Sequence, residues 1–178
     1  MKRILVVAAA SAAFTASPVF AQETDVGGVK VGLVGGYDVI NLEGGGAEES
    51  DSGIVYGLTA GYDIDSGDAI IGLEAEVSDT SISDDVGDAG LDLYGGLRLG
   101  LQTGDASLVY VKAGYTNVDI DGFDNLEGIR VGAGYEKNFG SVFGRVEYRY
   151  SNYNVSDVIA SNLNGNRNQI VLTVGGSF

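Results

Sequence analysis

Eight times after Gly28 the sequence repeats a run of about ten residues in which apolar and polar side chains alternate, each run closed by a turn or a polar stretch. Period two is the geometry of a strand, whose successive side chains point to opposite faces. A helix cannot carry it, because 3.6 residues per turn would scatter the apolar positions around the axis. The runs are Val29–Val39, Ile54–Ile64, Ile70–Ser78, Leu91–Leu101, Val109–Thr116, Ile129–Glu136, Val142–Tyr150 and Gln169–Phe178. In the first, Val29, Val31, Leu33, Tyr37 and Val39 share one face, and Lys30, Gly32, Gly36 and Asp38 the other. Val34, Val55, Ile70, Leu108 and Val171 interrupt the pattern by falling on the polar face. Composition agrees with strands, since the chain holds 29 Gly and each Gly in a helix costs ~1 kcal/mol relative to Ala.

The connectors alternate in length. Short turns fall at Asp65–Asp68, Gln102–Ala106 and Lys137–Gly140, and longer loops at Asn41–Ser52, Asp79–Gly90, Asn117–Asn125 and Asn152–Arg167. Consecutive antiparallel strands with this rhythm make an up-and-down arrangement. Two architectures can bury one face of it: a soluble sandwich, with the apolar face inside, or a transmembrane barrel, with the apolar face toward lipid.

Three features select the barrel. Tyr37, Tyr56, Tyr115, Tyr148 and Tyr150 lie toward the long-loop ends of their strands, while Tyr62, Tyr135 and Phe178 lie toward the short-turn ends. That sorting makes two aromatic belts, one at each lipid interface. The polar face carries Lys30, Arg98, Lys112, Arg130, Arg145 and Arg149 mixed with Asp38, Asp63, Glu74, Glu76, Asp92, Glu136 and Glu147. Opposite charges around a narrow lumen can pair, offsetting the desolvation that makes a lone buried charge costly. Gly on the same face leaves room for long side chains to cross. Finally, the chain closes with Ile170, Leu172, Val174 and Phe178 at alternating outward positions. The expected fold is all-β, an eight-stranded antiparallel up-and-down transmembrane β-barrel.

The other end reads as an export signal. Lys2 and Arg3 precede an apolar run from Ile4 to Phe14, and Val19-Phe20-Ala21 supplies small residues for cleavage. The run is shorter than the ~20 apolar residues of a membrane-spanning helix, and charged or Gly residues interrupt every other apolar stretch. The expected division is a signal peptide at 1–21 and a barrel at 22–178, with both ends of the mature chain in the periplasm. Without Lys2 and Arg3, the formal charge of −15 becomes −17. Such a polyanion does not bind nucleic acid, which is recognised through clustered Lys and Arg. Much of the acid lies in the loops: Glu43, Glu48, Glu49 and Asp51, then Asp79, Asp84, Asp85 and Asp88, then Asp119, Asp121 and Asp124.

Along all eight runs the chain resembles the OmpA-like and opacity-type small barrels, in particular the "porin family" outer-membrane proteins of alphaproteobacteria. Val29-Lys30-Val31-Gly32-Leu33, Tyr94-Gly95-Gly96-Leu97-Arg98-Leu99-Gly100, Leu108-Val109-Tyr110-Val111-Lys112-Ala113-Gly114-Tyr115 and Val146-Glu147-Tyr148-Arg149-Tyr150 carry the likeness. It implies an eight-stranded barrel in the Gram-negative outer membrane, exposed at the cell surface, with a structural or porin-like role. The closing Ile170, Leu172, Val174 and Phe178 look like the signal read by the outer-membrane barrel assembly machinery, with Gly176 smaller than that signal usually has. The OmpA type proper adds a periplasmic peptidoglycan-binding domain; none is expected after the eighth strand here.

Chemistry is not expected. His and Cys are absent, which closes His-based acid–base catalysis, thiol nucleophiles, disulfides and His/Cys metal sites. Glu74 and Glu76 are accounted for by lumen pairing. Asp119, Asp121, Asp124 and Asn125 miss the EF-hand spacing, with Glu127 at position 9 instead of a closing Glu at 12. Gly44-Gly45-Gly46 has no following Lys or helix pattern to make a phosphate cradle. The expectation is a non-enzymatic, cofactor-free monomer surrounded by outer-membrane lipid and lipopolysaccharide. Its role is structural or surface-interactive, with a narrow channel for small solutes or ions as the alternative.

Overall fold

The computed structural model describes residues 27–44, 47–81, 83–84, 87–104, 106–120, 126–154 and 164–178. The expected signal segment lies outside them, as do the side chains of Glu43, Glu48, Glu49, Asp84, Asp85, Asp88, Asp121 and Asp124. Eight long strands form the wall: β1 Gly28–Gly44, β2 Ala47–Asp65, β3 Ala69–Thr80, β4 Gly87–Gln102, β5 Ser107–Ile120, β6 Leu126–Asn138, β7 Val142–Asn154 and β8 Asn164–Ser177. Each pairs antiparallel with its sequence neighbours, and β1 pairs with β8 to close the sheet into a barrel. A two-residue ladder, Ser83–Asp84, adds to the upper part of β4.

The register fixes the barrel's dimensions. Following hydrogen-bonded partners around the wall from Lys30 leads through Gly61, Glu74, Gly96, Gly114, Arg130, Ser151 and Arg167, and back to β1 at Ile40. The path returns ten residues further along β1, so the shear is 10. With about 3.3 Å per residue and about 4.8 Å between strands, eight strands at this shear tilt by about 40° and enclose a backbone radius of about 8 Å. The same geometry assigns a height to every residue. Outward apolar positions run from Ile64 and Leu101 up to Ile54 and Leu91, a band about 25 Å tall, which is the lipid-facing height of an outer-membrane barrel.

The two faces are inverted relative to a soluble protein. Leu97 and Leu172 are exposed at 56% and 61%, whereas Arg98 and Arg130 are 1% and 0% exposed. Val34, Val55, Ile70, Leu108 and Val171 are buried in the lumen. The apolar girdle on the outside excludes the sandwich, which would bury it. Tyr37, Tyr56, Tyr115 and Tyr150 project outward within about 3 Å of one height, and Tyr62 and Tyr135 about 15 Å below them. Tyr148 attaches lower than its group, but its hydroxyl donates upward to Asn168 Oδ1 at 2.7 Å. At the lower rim Phe178 is joined by Phe139, a position the alternation did not reveal because it lies in a turn.

The short connections are tight: Gly67 and Gly140 adopt φ of +86° and +79°, a left-handed backbone that glycine takes without a Cβ clash. The expected long loops need correction. Strands continue through much of them, with β1 and β2 paired up to Gly44↔Ala47 and β8 starting at Asn164 rather than Gln169. Apolar alternation ends where lipid ends, but the hydrogen-bonded ladder needs no apolar side chain and runs on. The barrel therefore has a turn end and a hairpin end.

Candidate functional site: the charged lumen

Strand alternation sends every second side chain into a space about 16 Å across between backbones, and these side chains are mostly ionic. Lys30, Arg98, Lys112, Arg130, Arg145, Arg149 and Arg167 face Asp38, Asp63, Glu74, Glu76, Asp92, Glu136 and Glu147, all at most 5% exposed. Among the described residues seven cations meet seven anions, so these lumen charges cancel.

Toward the turn end, ten of these groups form one continuous cluster. Lys30 pairs with Asp63 at 2.9 Å and with Glu136. Arg98 holds Asp63 through two nitrogens, at 3.0 and 2.7 Å, and reaches Glu136 at 3.0 Å. Arg145 donates to Glu136 at 2.9 and 3.0 Å and to Glu74 across the barrel. Lys112 bridges Glu74 and Glu147, each at 2.7 Å. Arg149 binds Glu147 and both oxygens of Glu76, at 2.6 and 2.7 Å. Toward the hairpin end, Arg167 grips Asp38 and reaches Asp92 at 2.8 Å, and Arg130 also pairs with Asp92. Thr116 donates to Asp92 at 2.6 Å.

Three of these contacts join strands that face each other across the barrel: Arg145–Glu74 and Arg149–Glu76 between β7 and β3, and Arg167–Asp92 between β8 and β4. They cross the lumen at levels about 8 Å apart. Aromatic rings fill the remainder. Tyr94 lies under Lys112 and Arg130, at 4.6 and 5.3 Å from its centroid, and Tyr110 under Arg98 and Arg145, at 4.7 and 5.3 Å. Phe143 sits 5.4 Å from Arg145. Such cation–ring contacts strengthen when water is excluded. Lumen glycines make the room: a Cβ on Gly114 would lie 2.8 Å from the Tyr94 ring, and one on Gly32 3.1 Å from Phe143. Ile70, Leu108 and Tyr110 pack together near the turn end, and Val34, Val55 and Val171 form an apolar patch on the opposite wall.

The structure places all twelve lumen residues named from the sequence, and Asp63, in these ion pairs. Arg167 was missed. The sequence pattern leaves it in the last loop, although its parity with inward-facing Gln169 two residues on is a usable signal. Of the outward set, Tyr37, Tyr56, Tyr62, Tyr115, Tyr135, Tyr148, Tyr150, Ile170, Leu172, Val174 and Phe178 all lie on the lipid side. Phe178 and Val29 exchange backbone hydrogen bonds of 2.8 and 2.9 Å across the β1–β8 seam. Among the described residues no acidic group of three or more has the geometry to hold a metal ion.

The family model "Outer membrane protein beta-barrel domain" matches residues 6–178. Among solved structures, the chain is similar to Ail, the attachment invasion locus protein of Yersinia pestis (TM-score 0.53, 12% identity, covering 84% of this chain and 99% of that one). It is also similar to Neisserial surface protein A (TM-score 0.51, 16% identity, covering 81% and 96%). At these identities the likeness is one of fold. No curated protein sequence matches.

Proposed function

The chain belongs to the outer membrane protein β-barrel family, and from that premise we propose that it is a sealed barrel with a structural and surface-interaction role rather than a pore. The observation that carries this reading is the set of three ion pairs spanning the full width of the lumen at three heights. An eight-stranded barrel is just wide enough for its side chains to fill it, and here those side chains are locked to one another in a neutral network. Ion passage would require breaking buried pairs, whose separated charges are expensive in a narrow, water-poor space.

In this reading the turn end and both termini face the periplasm, and the hairpin end faces outward, as in bacterial barrels with short inner turns. The barrel is a monomer. Its Tyr belts sit at the two lipid interfaces, lipopolysaccharide surrounds its outer half, and Ile170, Leu172, Val174 and Phe178 are what the assembly machinery reads. The segments 41–53, 79–90, 117–128 and 152–166 contain acids and no Lys or Arg. Ail has been solved in complex with the heparin analogue sucrose octasulfate; an outer surface without exposed base repels a ligand of that charge. Planar-bilayer recording of the purified barrel tests the proposal. Silence apart from rare flickers is expected, and large, stable openings would overturn it in favour of a narrow channel.

A further inference from the structure

The fourteen lumen charges divide at one place. The ten groups nearer the turn end hold five cations and five anions; Asp38, Asp92, Arg130 and Arg167 hold two of each. Each cluster is neutral by itself. Among the described residues they meet at a single ionic contact, Arg130 Nη1 to Glu76 Oε1 at 3.9 Å, beyond hydrogen-bond reach, whereas every other described lumen pair is at 3.0 Å or closer. Arg130 is wholly buried, and its Nη1 has no hydrogen-bond partner among the described residues. The guanidinium cannot turn to find one, because Nε donates to Ser151 Oγ at 2.9 Å and Nη2 is held by Asp92. Ser78 Oγ, 2% exposed and likewise without a partner among the described residues, lies on the same face of β3 as Glu76, and its residue is the register partner of Asp92.

We propose that this junction is a water-binding site, with one ordered water accepting from Arg130 Nη1, donating to Glu76 Oε1 and hydrogen-bonding to Ser78 Oγ. A buried donor and a buried hydroxyl left unmade are costly, and a water needs two to four polar partners to stay; the junction offers three. Charge selects the ligand. A captured anion or cation would leave one of two neutral clusters with an uncompensated charge in a desolvated space, so the occupant is neutral, small, and both donor and acceptor. The two self-neutral clusters then meet at a hydrated junction. This assignment stands on pairing geometry, not on conductance, and the two can fail separately.

Water-selective NMR of the intact barrel in detergent micelles, read at the 15N-labelled arginine side chains, tests it. A cross-peak from a long-lived water is expected at Arg130 and not at Arg98 or Arg145, whose acceptors are direct. Ser78→Val, which replaces the hydroxyl by methyls, is expected to cut that cross-peak at least twofold while the folded, heat-shifted band on a gel persists. No water signal at Arg130, equal signals at all three arginines, or a cross-peak that survives Ser78→Val would each overturn the assignment. Equal signals would also count against the sealed lumen, whereas a missing signal at Arg130 would leave the seal intact.

Discussion

Glu136 is the most heavily used anion in the lumen, and neutralising it measures how dry that space is. Lys30, Arg98 and Arg145 all converge on it. At ~3 Å and an effective dielectric of ~20, each attraction has a gross size of about 5 kcal/mol, most of it cancelled by the desolvation of both partners. Removing one partner from a buried pair nevertheless costs about 3–5 kcal/mol, because the remaining charge cannot return to water. After Glu136→Gln, Lys30 and Arg98 still have Asp63, and Arg145 still has Glu74, which places the expected loss near the lower figure, about 3 kcal/mol. Urea unfolding of the refolded barrel, followed by the loss of its folded gel band, reads this directly. Adding Lys30→Met to Glu136→Gln restores four cations against four anions in that cluster and is expected to recover about half of the loss, a coupling that a double-mutant cycle isolates. A loss below about 1 kcal/mol, typical of exposed ion pairs, would mean that the charges are solvated, and the sealed-lumen reasoning would fall.

Three more outcomes follow from the same architecture. Boiled and unboiled samples are expected to migrate differently on a detergent gel, since all eight strands are closed into one ladder; identical mobility would count against the barrel. Of the Lys and Arg residues beyond Arg3, Lys137 alone lies outside the lumen, so trypsin is expected to cut the folded barrel only there and the boiled chain throughout; cleavage at Arg167 would show that its pairing with Asp38 is not maintained. Gly114→Val drives a side chain into the Tyr94 ring and the β4 backbone and is expected to cost about 1–3 kcal/mol as overpacking. Gly35→Ala points outward with nothing within 4 Å and is expected to be neutral or to gain under 1 kcal/mol; urea midpoints for the two would coincide if the lumen were loosely filled.

Period-two alternation is a local property, so the sequence by itself determined the number of strands, the face each side chain takes, the aromatic sorting and thirteen of the fourteen described lumen charges, Arg167 being the exception. Even Val34, Val55, Ile70, Leu108 and Val171 could be placed inside by parity alone. What it did not determine was anything that depends on register. The pairs Arg145–Glu74 and Arg149–Glu76 are 71 and 73 residues apart in the chain, and they meet only because a shear of 10 brings β3 and β7 to matching heights across the barrel. The same register carries the hairpin ladders beyond the lipid band, draws Arg167 from a presumed loop onto Asp38, and divides the charges into two neutral clusters. Alternation says that a side chain points inward; tilt and closure, which belong to the whole sheet, decide what it meets there.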